Sequence, residues 1–333
     1  MKEAGKLVIS LDFELMWGVR DLVTTATYGQ HIRGVHSALP QILKHFEQYG
    51  IKGTFAAVGF LFFKNKEELL QGLPAVQPQY ADANLSPYGN YLVNSVGTDA
   101  GNDPYHFGAH LIQLINNTPG QEIGTHTFSH YYCLEPGQDI DAFRHDLLAA
   151  LAVAQKRGIH VSSIIFPRNQ VNQAYLQVCE QMGLITYRSN EESWIYKARN
   201  AKDETLLRRA FRLLDAYVNI SGHHCYTEQY MNSGHMVNIP ASRFLRPYSK
   251  KLKGLEAFRL KRIQDSMTHA AKNKLTYHLW WHPHNFGINQ QENFAFLTKI
   301  LQHYQQLQQR YNFTSITMTD LAKEIKGASQ LQH

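Results

Sequence analysis

The chain has 333 residues, of which 44% are apolar and 18% are charged. These proportions fit a folded globular protein that is somewhat poor in charge, and they exclude a disordered, fibrous or low-complexity chain. Lysine and arginine exceed aspartate and glutamate by 33 − 27 = 6, which gives a sequence pI of about 9.0. Such an excess suits an anionic ligand or membrane surface, but it is also common in proteins that bind neither, and we predict no nucleic-acid partner.

The cysteines and the start of the chain predict the compartment. Cys133, Cys179 and Cys225 are widely spaced and form no CxxC pair, which is typical of a reducing environment. No apolar stretch of signal-peptide length precedes the first charged motif, and no run approaches roughly 18 apolar residues. We therefore expect a soluble, cytoplasmic protein. Peripheral contact with a membrane is left open, and no oligomeric state is predicted.

The first predicted unit is β-α-β. Residues Lys6 to Leu11 form a β-branched, continuously apolar run that ends in the acids Asp12 and Glu14, as a buried parallel strand does when its carboxyl end borders a site. A helix over His36 to Tyr49 follows, and Gly50 ends it. The run GIKGTFAAVGFLF then predicts the second strand.

Strands and helices alternate along the rest of the chain. Strands are predicted at EIGTH, VSSIIFP, ITYRS, LTYHLWWHPHN and TSITM. Helices are predicted in HFGAHLIQLINN, over 142–157, 172–182, 255–272 and 292–311, and in the last residues of TSITMTDLAKEI. Repeated strand–helix units imply a parallel sheet, and a closed or nearly closed barrel is the single-domain form that suits this length. We predict one α/β domain over 1–325, with insertions near 62–105 and 190–253 and a C-terminal tail at 326–333.

Two short clusters, far apart in sequence, offer ligands for a metal ion. His126 and His130 are four residues apart and are expected on one side of a helical turn, while Asp12 and Glu14 are two apart and share one face of a strand. This set provides imidazole nitrogen and carboxylate oxygen, with one acid to spare. Since a metal-bound water needs a base beside it, the pattern predicts a hydrolytic metal site.

The order of these motifs resembles the polysaccharide deacetylases, also called NodB-homology or carbohydrate esterase family 4 proteins. The resemblance covers most of the chain, and Phe13, which separates the two acids, and the order Pro167–Arg168 depart from the family pattern. The matching positions, in chain order, are Asp12, Glu14, Gly53 to Gly59, His126, His130, Arg168 in IIFPRNQ and His282 in LWWHPHN.

The resemblance implies a distorted, incomplete (β/α) barrel of about seven parallel strands that hydrolyses an N-acyl group on an amino sugar. The implied cofactor is one divalent ion, zinc by preference. By order, Asp12 is the base and Glu14 a ligand, although these two roles could be reversed. The remaining implied roles are metal ligation by His126 and His130, protonation of the leaving nitrogen by His282, and support of the Asp12 charge by Arg168.

Several side chains near the motifs are candidates for contact with the substrate. Aromatic rings could stack on a sugar, although core packing explains each of them equally well. Arginines in SRFLRPYSKK could clamp the phosphate of an anionic or lipid-linked sugar, although a solvated basic face is the plainer interpretation. His284 is the nearest substitute for His282. These candidates are Trp17, Tyr131, Trp281, Arg243, Arg246 and His284, and the rings of Tyr132 and Trp280 flank the same motifs.

The leading hypothesis is a metal-dependent N-deacetylase that acts on a nucleotide- or lipid-linked amino sugar during assembly of a surface glycan. One alternative is a deformylase of a lipid-linked formamido sugar, which would release formate instead of acetate. The other is a catalytically inactive, sugar-binding member of the family. Metal content and the effect of Asp12→Asn on turnover distinguish the inactive protein from the two enzymes, the deacetylase and the deformylase.

Overall fold

The fold rests on a parallel sheet. The computed structural model describes residues 4–197 and 206–330, and within these residues nine strands form one sheet in which every pair is parallel. The strands are β1 (Lys6–Phe13), β2 (Gly53–Ala57), β3 (Glu122–Thr125), β4 (Ser163–Ile165), β5 (Thr186–Arg188), β6 (Val237–Asn238), β7 (Arg243–Phe244), β8 (Thr276–Trp281) and β9 (Thr314–Ser315).

Helices connect these strands and cover the sheet. Those of the described residues are α1 (Thr25–Tyr49), α2 (Lys66–Gln71), α3 (Asn90–Asn94), α4 (Ala109–Asn117), α5 (Ile140–Lys156), α6 (Gln173–Gln181), α7 (Leu206–Asp215), α8 (Glu228–Met231), α9 (Glu256–Asn273), α10 (Gln290–Tyr311) and α11 (Met318–Gln330). Within residues 4–197 and 206–330, no helix is both long and apolar enough to cross a bilayer.

The strand order makes the barrel incomplete. It runs β6-β5-β4-β3-β2-β1-β8-β7, and β9 pairs with the start of β1. The outer strands β6 and β7 do not pair with each other in the described part of the chain, so the curled sheet stays open. This confirms the predicted incomplete barrel of parallel strands. All seven predicted strands are present, and the two that were missed, β6 and β7, have two residues each and lie in the predicted insertion at 190–253.

The side chains of strand β1 point alternately to the two faces of the sheet. Leu7, Leu11 and Phe13 pack into the main apolar cluster beneath the outer helices. Val8, on the opposite face, joins a smaller cluster that α11 completes with Met318 and other apolar residues. Because side chains alternate along a strand, Ser10 and Asp12 share the face of Val8. The interior is therefore apolar at the amino end of the sheet and polar at the carboxyl end.

The start of α1 and the end of α11 differ from the sequence prediction. Helix α1 begins at Thr25, well before the predicted His36, because Thr24 caps it through a reciprocal pair with Thr27, and Pro40 lies inside it. Helix α11 continues to Gln330, so residues 326–330 are helical instead of a tail. Of the predicted insertions, residues 198–205 lie outside the described residues, as do residues 331–333 of the predicted tail.

Two backbones touch where α1 meets the turn after β8. A Cβ atom built on Gly287 would lie 1.8 Å from the carbonyl oxygen of His31, and one built on Gly34 would lie 1.9 Å from that of Gly287. The neighbouring atoms are backbone and cannot rotate away. Only glycine permits this approach, which fixes the turn after β8 against α1.

We expect Gly287→Ala to lower the free energy of unfolding by about 3 kcal/mol or more, because overpacking against backbone forces the two elements apart. The matched control is Gly327→Ala on the exposed side of α11, where an added Cβ meets no atom within 4 Å. That substitution should leave stability unchanged or raise it by about 1 kcal/mol. Urea denaturation of both variants measures the difference, and equal stabilities would contradict the close packing.

Candidate metal and catalytic site

The carboxyl ends of the central strands deliver the candidate residues to one place. Asp12 and Glu14 lie at and just beyond the end of β1, Arg188 ends β5, and His282 follows β8. His126 directly follows β3. Parallel strands bring their carboxyl ends to one edge, which is where barrels of this kind place their sites.

Glu14, His126 and His130 form a buried three-residue group. One ligand atom from each lies within 4.8 Å of the other two. Oε2 of Glu14 is 3.4 Å from Nε2 of His126 and 3.1 Å from Nε2 of His130. Two imidazole nitrogens and one carboxylate oxygen, held this close and shielded from water, match the ligand set of a catalytic zinc ion.

The protonation states and tautomers fit a metal. His126 directs Nε2 at Glu14 because its Nδ1–H donates to the carbonyl oxygen of Ile165 at 2.8 Å. Burial raises the pKa of Glu14, but His282, His126 and His130 outweigh it and hold that pKa well below its ordinary value. Burial lowers the pKa of His130 to about 4 despite the nearby Glu14. An ionised carboxylate and a neutral imidazole are the forms that bind a metal.

The two histidines lie on a tight loop, so the prediction of a helical turn was wrong. Thr127 and His130 have φ values of 63° and 61°, in the left-handed region. Asp146 of α5 holds the loop: it accepts hydrogen bonds from the backbone N–H groups of Phe128 at 2.7 Å and Ser129 at 3.1 Å, and from the Ser129 hydroxyl. The buried carboxylate therefore replaces the hydrogen bonds that a helix would have supplied.

Arg188 makes a two-pronged ion pair with Asp12. Its Nη1 donates to Oδ1 at 2.7 Å and its Nη2 to Oδ2 at 2.8 Å, while the guanidinium lies 4.1 Å from the ring centre of Trp280. Burial raises the pKa of Asp12, but Arg188, His126 and His282 outweigh it and lower that pKa. Asp12 is thus held as a carboxylate with both oxygens oriented.

Arg168, which was predicted to support Asp12, does not contact it. Its guanidinium forms an ion pair with Asp21 and lies 4.3 Å from the ring centre of Tyr132. The correction has a conformational reason: Arg168 has φ 53°, in a turn after Pro167, and this backbone aims the side chain away from β1. Arg188, one strand further along the sheet, supplies the arginine instead.

His282 stands at the open side of the group. Its Nε2 is 3.8 Å from Oδ2 of Asp12 and 3.7 Å from Oε1 of Glu14, and 23% of its side chain is exposed. His284 stacks on it with ring centres 4.8 Å apart, but its own ring is buried with Nδ1 3.8 Å from Oε1 of Glu14. His284 therefore lies beside Glu14 of the metal group with its ring buried, and its contact with a substrate stays a prediction.

The predicted sugar-stacking rings are enclosed in the core. Trp17 is 1% exposed and donates its indole N–H to the carbonyl oxygen of His106, and Tyr131 bonds Gln138. Trp281 has no exposure, because β8 turns it towards the outer helices. The prediction that these three rings stack on substrate was wrong, because rings buried this fully have no free face for a sugar. On β8, where odd and even residues face opposite sides, Trp280 is the ring that faces the site.

A cavity of about 310 Å³ begins at His282. Rings of Phe244 and Trp280 line it, together with several cationic side chains. Of the two arginines predicted to contact substrate, Arg243 is buried and Arg246 half-buried, and both border this cavity. Its described lining residues are Arg168, Asn169, Asn190, Glu191, Tyr196, Lys197, Arg212, Ala216, Arg243, Phe244, Arg246, Trp280 and His282.

Two residues of the site, Arg188 and Asp146, were missed by sequence reasoning. The sequence did hold a signal for Arg188, because this residue ends the predicted strand ITYRS, and Asp12 and His282 were predicted from the same position at the ends of their strands. Trp280 was predicted, together with Trp281, as a ring that could stack on a sugar, and it is the one of the two that borders the site. The sequence held no signal for Asp146, because a single acid inside an amphipathic helix does not indicate which loop it will support.

Comparisons with known proteins place the fold. No family model and no curated protein sequence matches the chain. A solved structure assigned as a polysaccharide deacetylase from Mycobacterium smegmatis is 13% identical, with a TM-score of 0.62 over 99% of this chain and 93% of that one. One assigned as a polysaccharide deacetylase from Pseudomonas aeruginosa is 11% identical, with a TM-score of 0.55 over 96% and 89%. Puue allantoinase is 10% identical, with a TM-score of 0.57 over 97% and 90%.

The fold is therefore that of the solved polysaccharide deacetylases, as the sequence resemblance implied. Identities this low show the fold alone. An allantoinase shares the architecture, so the fold by itself does not select a substrate. The assignment of chemistry depends on the residues at the carboxyl edge of the sheet.

Arg188→Gln should lower the turnover of the metal-loaded protein by about 100-fold, because Asp12 loses the fork that orients it. Metal content should stay at the wild-type level, since Arg188 contacts no member of the metal group. Arg168→Gln is the matched control, and we expect a smaller loss from it. Steady-state kinetics and metal analysis of both variants measure these effects. A larger loss from Arg168→Gln would show that Arg168, and not Arg188, supports Asp12.

Asp146→Ala should weaken metal binding by about 10- to 100-fold although Asp146 touches no metal ligand, because the loop that carries His126 and His130 loses its buried acceptor. The control is Asp139→Ala, which removes the N-cap of the same helix. That change should lower stability by about 1 kcal/mol and leave metal affinity unchanged. Competitive titration with a zinc chelator reports the affinities, and parallel losses in both variants would indicate general destabilisation.

Proposed function

We propose that this protein is a metal-dependent hydrolase that removes an N-acyl group, acetyl in the first instance, from an amino sugar. One observation carries the proposal: a buried three-ligand group lies next to an oriented carboxylate, Asp12, and a partly exposed imidazole, His282, at the carboxyl edge of the sheet. Amide hydrolysis needs an activated water, a stabilised oxyanion and a proton for the leaving nitrogen. These residues supply one group for each need.

Glu14, His126 and His130 would hold the ion, most suitably zinc. A divalent ion bound there activates water and stabilises the negative charge that develops on the acyl oxygen. Asp12 accepts the proton of the attacking water, and Arg188 keeps both of its oxygens in place during the transfer. His282 delivers a proton to the departing amine from the cavity side.

The division of labour between the two acids follows from their partners. Both oxygens of Asp12 face Arg188, whereas Oε2 of Glu14 lies between the two histidines. A carboxylate engaged by a guanidinium fork is a poor ligand for a second cation but a well-oriented base. We therefore keep Asp12 as the base and Glu14 as the ligand.

The finer parts of the proposal concern the substrate and its setting. We propose a nucleotide- or lipid-linked precursor of a surface glycan, handled in the cytoplasm, with contact to a membrane surface if the carrier is a lipid. The ring faces of Phe244 and Trp280 beside His282 support a sugar at this position, because flat aromatic surfaces suit the apolar face of a pyranose. The deformylase alternative uses the same residues and differs only in the acyl group.

The test is hydrolysis of N-acetyl and N-formyl amino sugars by the zinc-loaded protein, with acetate and formate measured separately. Asp12→Asn should retain the metal and lose at least about 1000-fold in turnover, whereas Glu14→Ala should lose the metal itself. If Asp12→Asn lost the metal and Glu14→Ala kept it, the two roles would be exchanged. If the wild-type protein bound no zinc and released neither acid, the catalytic proposal would fail in favour of an inactive sugar-binding protein.

A further inference from the structure

The cavity that His282 lines also carries cationic side chains that the hydrolysis of an amide does not require. Among them are Arg243 and Arg246, together with Arg212 and Lys197. Phe244 and Trp280 line the same cavity. A ligand with its acyl nitrogen at His282 and its ring on the two aromatic side chains would hold its remaining part in the space that the arginines border.

Arg243 is buried with unused hydrogen-bonding capacity. Its Nη1 donates to Oδ2 of Asp215 at 2.6 Å and contacts the hydroxyl of Tyr196 at 3.2 Å, which fixes the guanidinium plane. Its Nη2 and Nε have no hydrogen-bond partner in the described residues although they are buried. Buried donors without a partner are costly, and a ligand oxygen would satisfy them.

Arg246 makes no ion pair with an acid of the described part of the chain. Within residues 4–197 and 206–330, no carboxylate lies within ion-pair distance of its guanidinium, while the charges of Arg212 and Arg243 are close enough to act on it. Like charges gathered in a half-buried place repel one another unless an anion joins them. The ion pair with Asp215 offsets the charge of Arg243 but leaves its Nη2 and Nε donors without a partner among the described residues.

The cavity also carries one acid. Among the described lining residues Glu191 has the single carboxyl group, which contacts Trp280 and on which the charges of Arg243 and Arg188 act. Burial outweighs these charges and raises the pKa of Glu191.

We propose that Arg246 and the free edge of Arg243 form a subsite, in the cavity that His282 also lines, for a phosphate or diphosphate carried by the substrate. The inference rests on the proposed function for the position of the sugar, and it adds the residues that would bind the phosphate of the nucleotide or lipid carrier. Guanidinium groups bind phosphate oxygens through paired N–H donors, which a neutral polysaccharide would not use. The shared ligand chemistry is a sugar phosphate, whether its carrier is a nucleotide or a lipid.

The first experiment measures binding of inorganic diphosphate by calorimetry to the His126→Ala protein, in which the metal site cannot bind the anion. We expect binding to this variant, and about 10-fold weaker binding when Arg246→Gln is added, because a charged hydrogen-bonding partner is lost. Adding Arg246→Lys should give an intermediate affinity, and its thermal midpoint checks that position 246 tolerates substitution. Lys250→Gln removes an exposed cation of the same segment that does not line this cavity, and it should change nothing.

The second experiment compares zinc-loaded protein with N-acetylglucosamine, its 1-phosphate, its uridine diphosphate ester and its short-chain prenyl diphosphate in detergent. At least one phosphorylated probe should bind about 10-fold more tightly than the neutral sugar, and Arg246→Gln should remove that preference without weakening the neutral sugar. The tightest probe identifies the carrier. Equal binding of all four, or a preference that survives Arg246→Gln, would overturn the subsite. Because neither readout needs turnover, loss of hydrolysis with retained diphosphate binding would refute the proposed function alone.

Discussion

The buried ion pair between Arg188 and Asp12 is the constraint on which the site depends. A guanidinium with no exposure to solvent needs partners for its charge, and the Nη1 and Nη2 groups of Arg188 find them in Asp12, Ser10 and Asn169, while its Nε has no partner among the described residues. These partners come from β1 and from the turn after β4, so the arginine at the end of β5 joins the carboxyl ends of β4 and β5 to that of β1 across the curled sheet. Replacing either charge alone would leave the other buried without compensation, which is far more costly than losing an exposed pair.

The same pair divides the interior of the barrel into two zones. Below Ser10, the inward residues of β1 meet the apolar face of α11, which fills the amino end of the sheet. From Ser10 upward, the inward residues are polar: His278 bonds Ser10 at 2.8 Å, and Arg188 and Asp12 follow. The apolar residues that stabilise the fold therefore lie at the amino end of the interior, and the polar residues of the site lie at its carboxyl end. This separation lets the carboxyl edge carry unfavourable charges without disturbing the packing of the amino end.

The sequence determined the fold more fully than the site, for physical reasons. Strands such as Lys6–Phe13 and helices such as Gln290–Tyr311 were predictable because burial imposes periodicity on many consecutive residues. The pairing of Arg188 with Asp12 was not predictable, because three strands can each present a polar residue to the same edge and periodicity does not state which one reaches β1. Arg168 was the nearer match to a family pattern, yet its left-handed backbone sends the side chain elsewhere. A motif specifies which residue type stands at a position, whereas the backbone φ and ψ at that position determine the direction of its charged side chain.

Phe13 shows how one residue can preserve a site while changing its spacing. A strand alternates its side chains, so two adjacent acids would place one carboxylate towards the interior and the other towards the helices unless the strand ended between them. Here β1 continues through Phe13, whose ring is fully buried in the outer core, and the next residue, Glu14, turns back towards the interior. Asp12 and Glu14 thus reach the same side with a residue between them that packs on the other. The separation keeps the base on the strand, beside Arg188, and places the ligand at the start of a helical turn, where the longer glutamate side chain reaches the two histidines.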